Sequence, residues 1–315
     1  MRRRHGPTLL ALLLFAILQG ACGAAEEAGP DPNHLNVDGP PAITTMPEMV
    51  SVTGKSLPLE AFQIGPQALS TISLARQLLI ADCMKRFGYT YEIQPSGPPA
   101  QADRLSRRYG ITDAASAAKW GYGGPPGQAP TSKPRRSADP NQALVLTGWP
   151  NGRIQPGGTP PAGQNVGGLE VPQGGCSGEA GRKLTGDDAG QIGDDPLVRD
   201  IDASAYSKAE SDPRVLDMQA KWSACMREKG YDYPHSLAVV DAITRTGGDA
   251  PAAEIQTALA DVECKGRTNY IGIWFTVESA YQNALIEKNF QALTTIKARA
   301  DRQISMATSV VAAGK

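Results

Sequence analysis

Two nine-residue stretches decide the predicted fold: Cys83-Met-Lys-Arg-Phe-Gly-Tyr-Thr-Tyr91 and Cys225-Met-Arg-Glu-Lys-Gly-Tyr-Asp-Tyr233. The two copies agree at Cys, Met, Gly and both Tyr, and each has a basic residue at its third position. Apolar residues recur at helical spacing before each copy, so each cysteine is expected to face the core from the last turns of a helix. The glycine then ends the helix in the left-handed region. Each unit therefore predicts a helix, a glycine stop and an extended aromatic exit.

The cysteine count bears on how these units are held together. The chain has five cysteines, which are Cys22, Cys83, Cys176, Cys225 and Cys264. If Cys22 carries a lipid, four remain, and four cysteines in an oxidising compartment predict two disulfides with three alternative pairings. Each repeated unit has one further cysteine downstream, so we predict the sequential pairs Cys83–Cys176 and Cys225–Cys264. Four reduced thiols are the alternative, and a zinc site is disfavoured because no CxxC occurs.

The N-terminus has the pattern of an export signal. Residues 1–21 combine a basic start, an apolar run and small residues, and the run is too short to count on as a membrane span. Gly20-Ala21-Cys22 resembles a bacterial lipobox, although Gln19 stands where such motifs usually have leucine. This resemblance implies cleavage before Cys22, lipidation of its sulfur and acylation with palmitate-type chains that hold the protein at the outer face of the membrane. Ordinary signal cleavage would instead give a secreted protein.

The rest of the chain divides by composition. Residues 22–58 are polar and rich in Pro and Gly, which predicts a flexible, disordered tether. Residues 59–190 are expected to form a first helical lobe with a long Gly/Pro-rich surface excursion over 121–175, where 13 Gly and 10 Pro occur. Residues 191–315 are expected to form a second helical lobe. The predicted fold class is thus mainly α, a two-lobed helical ectodomain with two disulfides.

Composition and motifs exclude several classes of function. The 31 Lys and Arg nearly balance the 32 Asp and Glu, so no basic nucleic-acid footprint is present. Catalytic motifs such as GxSxG and HExxH are absent from the sequence. Asp pairs at 187–188 and 194–195 are similar to calcium loops but fail the EF-hand spacing. We therefore expect no cofactor, no metal and no enzymatic activity.

Taken together, these features give the chain a family resemblance. It is similar to uncharacterised exported lipoproteins of high-GC actinobacteria such as streptomycetes. The motifs that carry this resemblance are Cys83-Met84, Arg108-Tyr109-Gly110, Gly174-Gly175-Cys176, Trp222-Ser-Ala-Cys225-Met226 and Cys264. The resemblance implies an envelope location and disulfides, and it brings no catalytic residue.

The functional expectation is a non-catalytic cell-envelope lipoprotein that acts as a binding or interaction module. Its partners would be the membrane, through the lipid anchor, and an envelope protein, peptide or glycan, with no nucleic acid. Aromatic residues at the exits and in the excursion are the candidate ligand contacts: Tyr89, Tyr91, Tyr231, Tyr233 and Trp149. The alternative is an envelope hydrolase that uses a pair of carboxylates about 5 to 9.5 Å apart.

Overall fold

Helices dominate the chain, as the repeated units predict. The computed structural model describes residues 34–94, 105–123, 139–155, 158–242 and 250–314. The α-helices in these ranges are α1 (Pro66–Arg86), α2 (Ala114–Trp120), α3 (Pro140–Thr147), α4 (Gly175–Thr185), α5 (Pro196–Glu210), α6 (Pro213–Glu228), α7 (Ser236–Ala242), α8 (Ala252–Arg267), α9 (Tyr270–Lys288) and α10 (Phe290–Ala313). Short 3₁₀ helices span Pro58–Phe62 and Pro150–Gly152, and a two-residue antiparallel hairpin joins β1 (Asn165–Val166) to β2 (Leu169–Glu170). The mainly α-helical class is confirmed.

Both predicted disulfides are present. Cys83 in α1 is bonded to Cys176 in α4, and their Cα atoms lie 5.5 Å apart. Cys225 in α6 is bonded to Cys264 in α8, with Cα atoms 5.7 Å apart. Each bond joins the helix of one repeated unit to a helix further along the chain, which confirms the sequential pairing.

The glycine stops also have the predicted geometry. Gly88 and Gly230 have φ values of 79° and 88°, in the left-handed region. In each copy the amide of the first tyrosine donates to the carbonyl of the methionine beside the cysteine, at 3.1 Å in the first and 3.0 Å in the second. This bond satisfies a carbonyl of the last helical turn, as expected of a helix that ends in a left-handed residue.

The buried apolar residues form one large cluster and three smaller ones. The large cluster is built around Trp222 of α6 and Trp274 of α9 and contains the second disulfide. The first disulfide lies in a smaller cluster with Ile80 and Val145. The C-terminal helices connect these regions, because α9 packs on α5 and α6 while α10 packs on α1 and α4.

The predicted boundary between lobes at residue 190 does not separate the clusters. Leu105 and Tyr109 belong to the predicted first lobe, yet they are buried in the large cluster with helices of the second. Ile111 and Ala117 pack against Ala258 of α8 in the same way. The described residues from 34 onward form one compact unit, because residues 105–122 and α10 each pack across the expected division.

Residues 34–58 of the predicted tether pack against the helices. We call residues 34–57 the strap, because they lie along the helices and bury Val52 and Leu57 in the large cluster. The Asn269 side chain accepts a hydrogen bond from the Met49 amide at 2.9 Å and donates one to the Pro47 carbonyl at 2.9 Å. These contacts hold the strap in place, since they satisfy its main chain as well as its apolar side chains.

The predictions for the extreme N-terminus concern residues that are not described. The export signal (1–21), the lipidation site Cys22 and tether residues 23–33 all lie outside the described ranges. Among the helices that are described, none is long and apolar enough to cross a membrane.

The Gly/Pro-rich excursion of residues 121–175 is partly folded. Within it, α3 buries Val145 in the smaller disulfide cluster and packs on α4. Glycines allow this contact, because a Cβ on Gly148 would lie 2.7 Å from the Gly175 amide nitrogen. Residues 140–148 are therefore part of the body, which corrects the prediction of a surface loop for this part of the excursion. Residues 158–170 are mostly exposed, and residues 124–138 are not described.

Candidate functional site

A cleft of about 370 Å³ lies between the strap and residues 106–116. Hydroxyl-bearing and charged side chains predominate in its lining, which comprises Val50, Ser51, Val52, Thr53, Ser106, Arg107, Ile111, Thr112, Asp113 and Ser116. The volume falls within the range of about 300–1,000 Å³ that is usual for small-molecule sites. Most such sites are lined by apolar side chains, so the composition of this cleft favours a polar ligand.

The strap wall of the cleft is a short turn that presents hydroxyl groups. Val52 anchors this turn, because its side chain is buried in the large cluster. On either side of it, Ser51 Oγ and Thr53 Oγ1 lie 2.8 Å apart, and the Thr53 amide donates to Ser51 Oγ at 3.0 Å. The two hydroxyls are therefore held at the surface by the residue between them.

The facing wall carries an ionised carboxylate. Asp113 is the N-cap of α2, and its Oδ1 accepts a hydrogen bond from the Ser116 amide at 2.7 Å. Hydrogen bonds from Ser116 hold the pKa of Asp113 below its ordinary value. A carboxylate stabilised in this way is ionised at neutral pH and can accept hydrogen bonds from ligand hydroxyls.

Arg107 supplies the positive charge of the cleft. Its guanidinium donates to the main-chain carbonyls of Tyr122, at 3.2 Å, and Gly123, at 2.5 Å. Burial lowers the pKa of Arg107, but an arginine side chain stays protonated under all conditions relevant to proteins. Among the described residues, no carboxylate forms an ion pair with Arg107.

A buried ion pair supports the cleft from below. Lys265 Nζ donates to the carbonyl of the cleft residue Ile111 at 3.0 Å and lies 3.1 Å from Asp261 Oδ2. Trp222 Nε1 donates to Asp261 Oδ1 at 2.9 Å, and the Tyr122 hydroxyl donates to Oδ2 at 3.2 Å. Three groups thus bond to two charges that are almost completely buried, which fixes the main chain at the base of the cleft.

Burial and pairing act in opposite directions on this ion pair. Loss of solvation raises the pKa of Asp261 and lowers the pKa of Lys265, while their mutual contact opposes both shifts. Gly110 is required beside them, because its φ is +80° and a Cβ at this position would lie 2.7 Å from Lys265 Nζ. The Arg-Tyr-Gly motif therefore brings the chain close to the buried cation.

A second buried network uses the next arginine and holds two carboxylates. Arg108 donates to Glu278 Oε1 at 2.8 Å through Nε and to Asp202 Oδ1 at 2.9 Å. The Tyr109 hydroxyl donates to Glu278 Oε2 at 2.9 Å, and Gln282 Nε2 lies 3.3 Å from Oε1. Burial raises the pKa of Glu278, although Arg108 opposes this. Both carboxylates serve the packing of α5 against α9, and neither lines the cleft.

The predicted ligand-contact residues lie elsewhere. Tyr89 and Tyr91 pack at the edge of the smaller disulfide cluster. Tyr231 and Tyr233 pack at the edge of the large cluster. Trp149 is 7% exposed. The structure does not bring these five side chains together, and none of them lines the cleft.

The aspartates of the calcium-like segment have structural roles. Asp187, Asp194 and Asp195 line a small cleft of about 90 Å³. Asp187 accepts from the Gly190 amide at 2.8 Å, and Asp194 accepts from the Ile64 amide at 2.7 Å. Asp195 caps α5 and pairs with Arg299 at 2.8 Å. In the part of the chain that the structure describes, no group of three or more His, Cys, Asp and Glu side chains is placed to hold a metal ion.

Sequence reasoning missed the cleft because one of its walls was assigned to the tether. Val52 and Leu57, which dock the strap, stand in short apolar groups that prolines and glycines interrupt, and these groups show no helical period. The motif Arg108-Tyr109-Gly110 stands out in the sequence, but the preceding Arg107 does not. Short apolar groups in a Pro-punctuated stretch are the sequence signal that indicates docking.

Known proteins add no constraint to this site. No protein-family model matches the chain. No curated protein and no solved structure matches it either.

Proposed function

We propose that the protein is an exported, lipid-anchored binding protein of the cell envelope, which takes a polar ligand in the cleft and catalyses no reaction. The observation that carries this proposal is the lining of the cleft, which combines five hydroxyl-bearing side chains with one cation and one anion. Ligand sites are usually concave and use a few convergent polar groups to orient the ligand. This arrangement favours a glycan or another polar small molecule over an apolar one.

The envelope location rests on three sequence and structural features. The N-terminal pattern is that of an export signal, and Gly20-Ala21-Cys22 resembles a lipobox. Two disulfides cross-link helices of the described region, and such bonds persist mainly in oxidising compartments outside the cytosol. The intact mass of the protein extracted from membranes should include the lipid on Cys22. A mass without lipid would instead indicate a secreted protein with no membrane anchor.

Binding without catalysis is favoured by the state of the buried carboxylates. Glu278 and Asp261 each accept several hydrogen bonds from buried partners. A carboxylate pair that hydrolyses a glycosidic bond has to face the substrate from both sides. The one carboxylate that lines the cleft, Asp113, has no acidic partner in that lining. The hydrolase alternative therefore has less support than a binding role.

The test fills the cleft and leaves the body unchanged. Ser106 is an exposed lining residue, so Ser106→Trp should block the cleft without disturbing the core. Ser305→Trp is the matched control, because Ser305 is exposed on α10 and does not line the cleft. We expect an array of envelope glycans and short peptides to retain the wild type and S305W alike, and S106W to bind at least tenfold more weakly. Equal binding by S106W, or no retained ligand at all, would contradict the proposed function.

A further inference from the structure

We propose that the ligand is an acidic sugar, meaning a polyhydroxylated molecule with a carboxylate or phosphate group, and that Arg107 binds this anionic group. This inference rests on the proposed function, since it concerns the ligand of the same cleft. It goes further by assigning the chemical class of the ligand and the residue that selects its charge.

The first step concerns the charge of Arg107. Its recorded hydrogen bonds go to two main-chain carbonyls, which hold the guanidinium in place without cancelling its charge. Within the described ranges no carboxylate pairs with it, whereas Arg108, the next residue, pairs with both Asp202 and Glu278. Two adjacent arginines thus differ: one has an internal counter-charge, and the other faces the cleft.

A second cation, Lys265, lies close enough to Arg107 to interact with it. Arg107 and Lys265 repel each other, and this repulsion contributes to the lowered pKa of Lys265. Asp261 neutralises Lys265 within the core, but among the recorded ion pairs Asp261 does not contact Arg107. An anion in the cleft would neutralise the charge of Arg107 and would form the charge-assisted hydrogen bonds that guanidinium groups favour with carboxylates and phosphates.

The second step concerns the rest of the ligand. Hydroxyl groups of Ser51, Thr53 and Thr112 can both donate and accept hydrogen bonds, which suits the hydroxyls of a sugar. Asp113 is an acceptor only, and it repels a second negative charge. A ligand with one acidic group and several hydroxyls suits this lining, because Arg107 can bind the acid while Asp113 and the hydroxyl-bearing side chains bind the hydroxyls.

The experiment compares three sugars of similar size. Binding of glucose, glucuronic acid and glucose 6-phosphate to the detergent-extracted full protein is followed by ligand-observed NMR titration. We expect at least one acidic sugar to bind tenfold or more tightly than glucose, and this preference to weaken as salt is raised. A preference for glucuronic acid identifies a carboxylate ligand, and a preference for glucose 6-phosphate identifies a phosphate ligand.

Variants assign the preference to Arg107. Arg107→Met should abolish it, and Arg107→Lys should retain part of it because the charge is kept while the planar donor geometry is lost. Arg302→Met is the matched control, since Arg302 is exposed on α10 and does not line the cleft. R107K also covers the case in which R107M fails to fold through loss of its carbonyl contacts.

The outcomes separate this inference from the proposed function. If neither acidic sugar binds more tightly than glucose, or if R107M keeps the preference while remaining folded, the inference is wrong. In that case a ligand from the array that S106W fails to bind would still support a binding role. If R107M does not fold, R107K decides the question. A preference for the acidic sugar that equals the wild-type preference in R107K and does not weaken at high salt contradicts the inference.

Discussion

The two repeated units share their local structure and differ in their surroundings. In both, a helix ends before a glycine with positive φ, and a disulfide joins that helix to a later one. The first unit packs in a small cluster whose members all come from residues 79–180. The second packs in the large cluster, against Trp222 and its neighbours. The local sequence therefore determines how each helix ends, and distant residues determine what it packs against.

An ion pair accompanies each disulfide, with its charges exchanged between the units. Arg86 pairs with Glu179, and each of them follows a cysteine of the first disulfide by three residues. Glu228 pairs with Arg267 at 3.2 Å, and each follows a cysteine of the second disulfide by three residues. The repeated feature is the placement of opposite charges one helical turn beyond the sulfur atoms. The helix of the repeated unit can supply either the cation or the anion of the pair.

One position inside the motif shows how the surroundings select a residue. The residue before the glycine is Phe87 in the first unit, where it packs against the small cluster. In the second unit it is Lys229, which pairs with Glu263 at 2.7 Å. The invariant positions are those that the helix end requires, and this variable position follows the local environment.

Removal of a disulfide should have the largest effect, and it should differ between the units. The first bond closes a loop of 93 residues and the second a loop of 39. In the chain-entropy treatment, C83A/C176A should lower the free energy of unfolding by about 4–5 kcal/mol and C225A/C264A by about 4 kcal/mol, because the longer loop loses more entropy when closed. Urea denaturation at neutral pH measures both values.

Each double variant is the control for the other. All four cysteines are buried to a similar degree, so packing around the sulfurs should contribute about equally. If C225A/C264A lowers the free energy of unfolding more than C83A/C176A does, the large cluster depends on its disulfide more than loop length implies. Packing, rather than loop length, would then account for the difference between the two units.

Substitution of the glycine stops should have a smaller effect that is equal in the two units. A Cβ added at Gly88 or at Gly230 would meet no atom within 4 Å. The only penalty is therefore the left-handed backbone, about 1–2 kcal/mol for a residue with a Cβ. We expect G88A and G230A to lower the free energy of unfolding by the same amount in urea denaturation, and the asparagine variants to lower it less. Values that differ by more than about 1 kcal/mol would show that the helix ends are not equivalent.

Features that rest on neighbouring residues could be predicted from the sequence. Helix spacing and the glycine stops depend on contacts within a few residues, and the structure has them as expected. The disulfide pairing followed from the internal repeat, which placed one downstream cysteine with each unit. These predictions succeeded because local geometry restricts the chain wherever a glycine, a proline or a repeated cysteine occurs.

Features that rest on distant contacts could not be predicted in the same way. Docking of the strap depends on Val52, Leu57 and the side-chain amide of Asn269, about 220 residues away in sequence. The cleft needs this docking for one of its walls, so it was missed together with the strap. Arg107 shows no pattern that separates it from Arg108, because only the fold determines which arginine meets a carboxylate.

The smallest expected effect concerns the two ion pairs, and it should depend on pH in the first unit. Burial raises the pKa of Glu179, but Lys183 and Arg86 outweigh it and leave the pKa below its ordinary value. A carboxylate with a depressed folded-state pKa contributes stability above its ordinary pKa of 4.5, and this contribution is lost as the pH falls through the folded-state value. Glu179→Gln should therefore cost about 0.2–1 kcal/mol at pH 7, and nothing at acidic pH.

Glu228→Gln tests whether the exchanged pair is equivalent. The side chains of Glu228 and Arg267 are both more than half exposed. Among the described residues, Glu228 forms an ion pair with one cation, whereas Glu179 forms ion pairs with two. Solvent screens exposed pairs strongly, so E228Q should cost less than E179Q, toward the lower end of about 0.2–1 kcal/mol. Urea denaturation from pH 7 down to about pH 3, at low and high salt, measures both variants across the titration of Glu179. A loss in E228Q that equals or exceeds that in E179Q would mean that the position beyond the sulfurs, rather than the number of cations around the carboxylate, sets the strength of the pair.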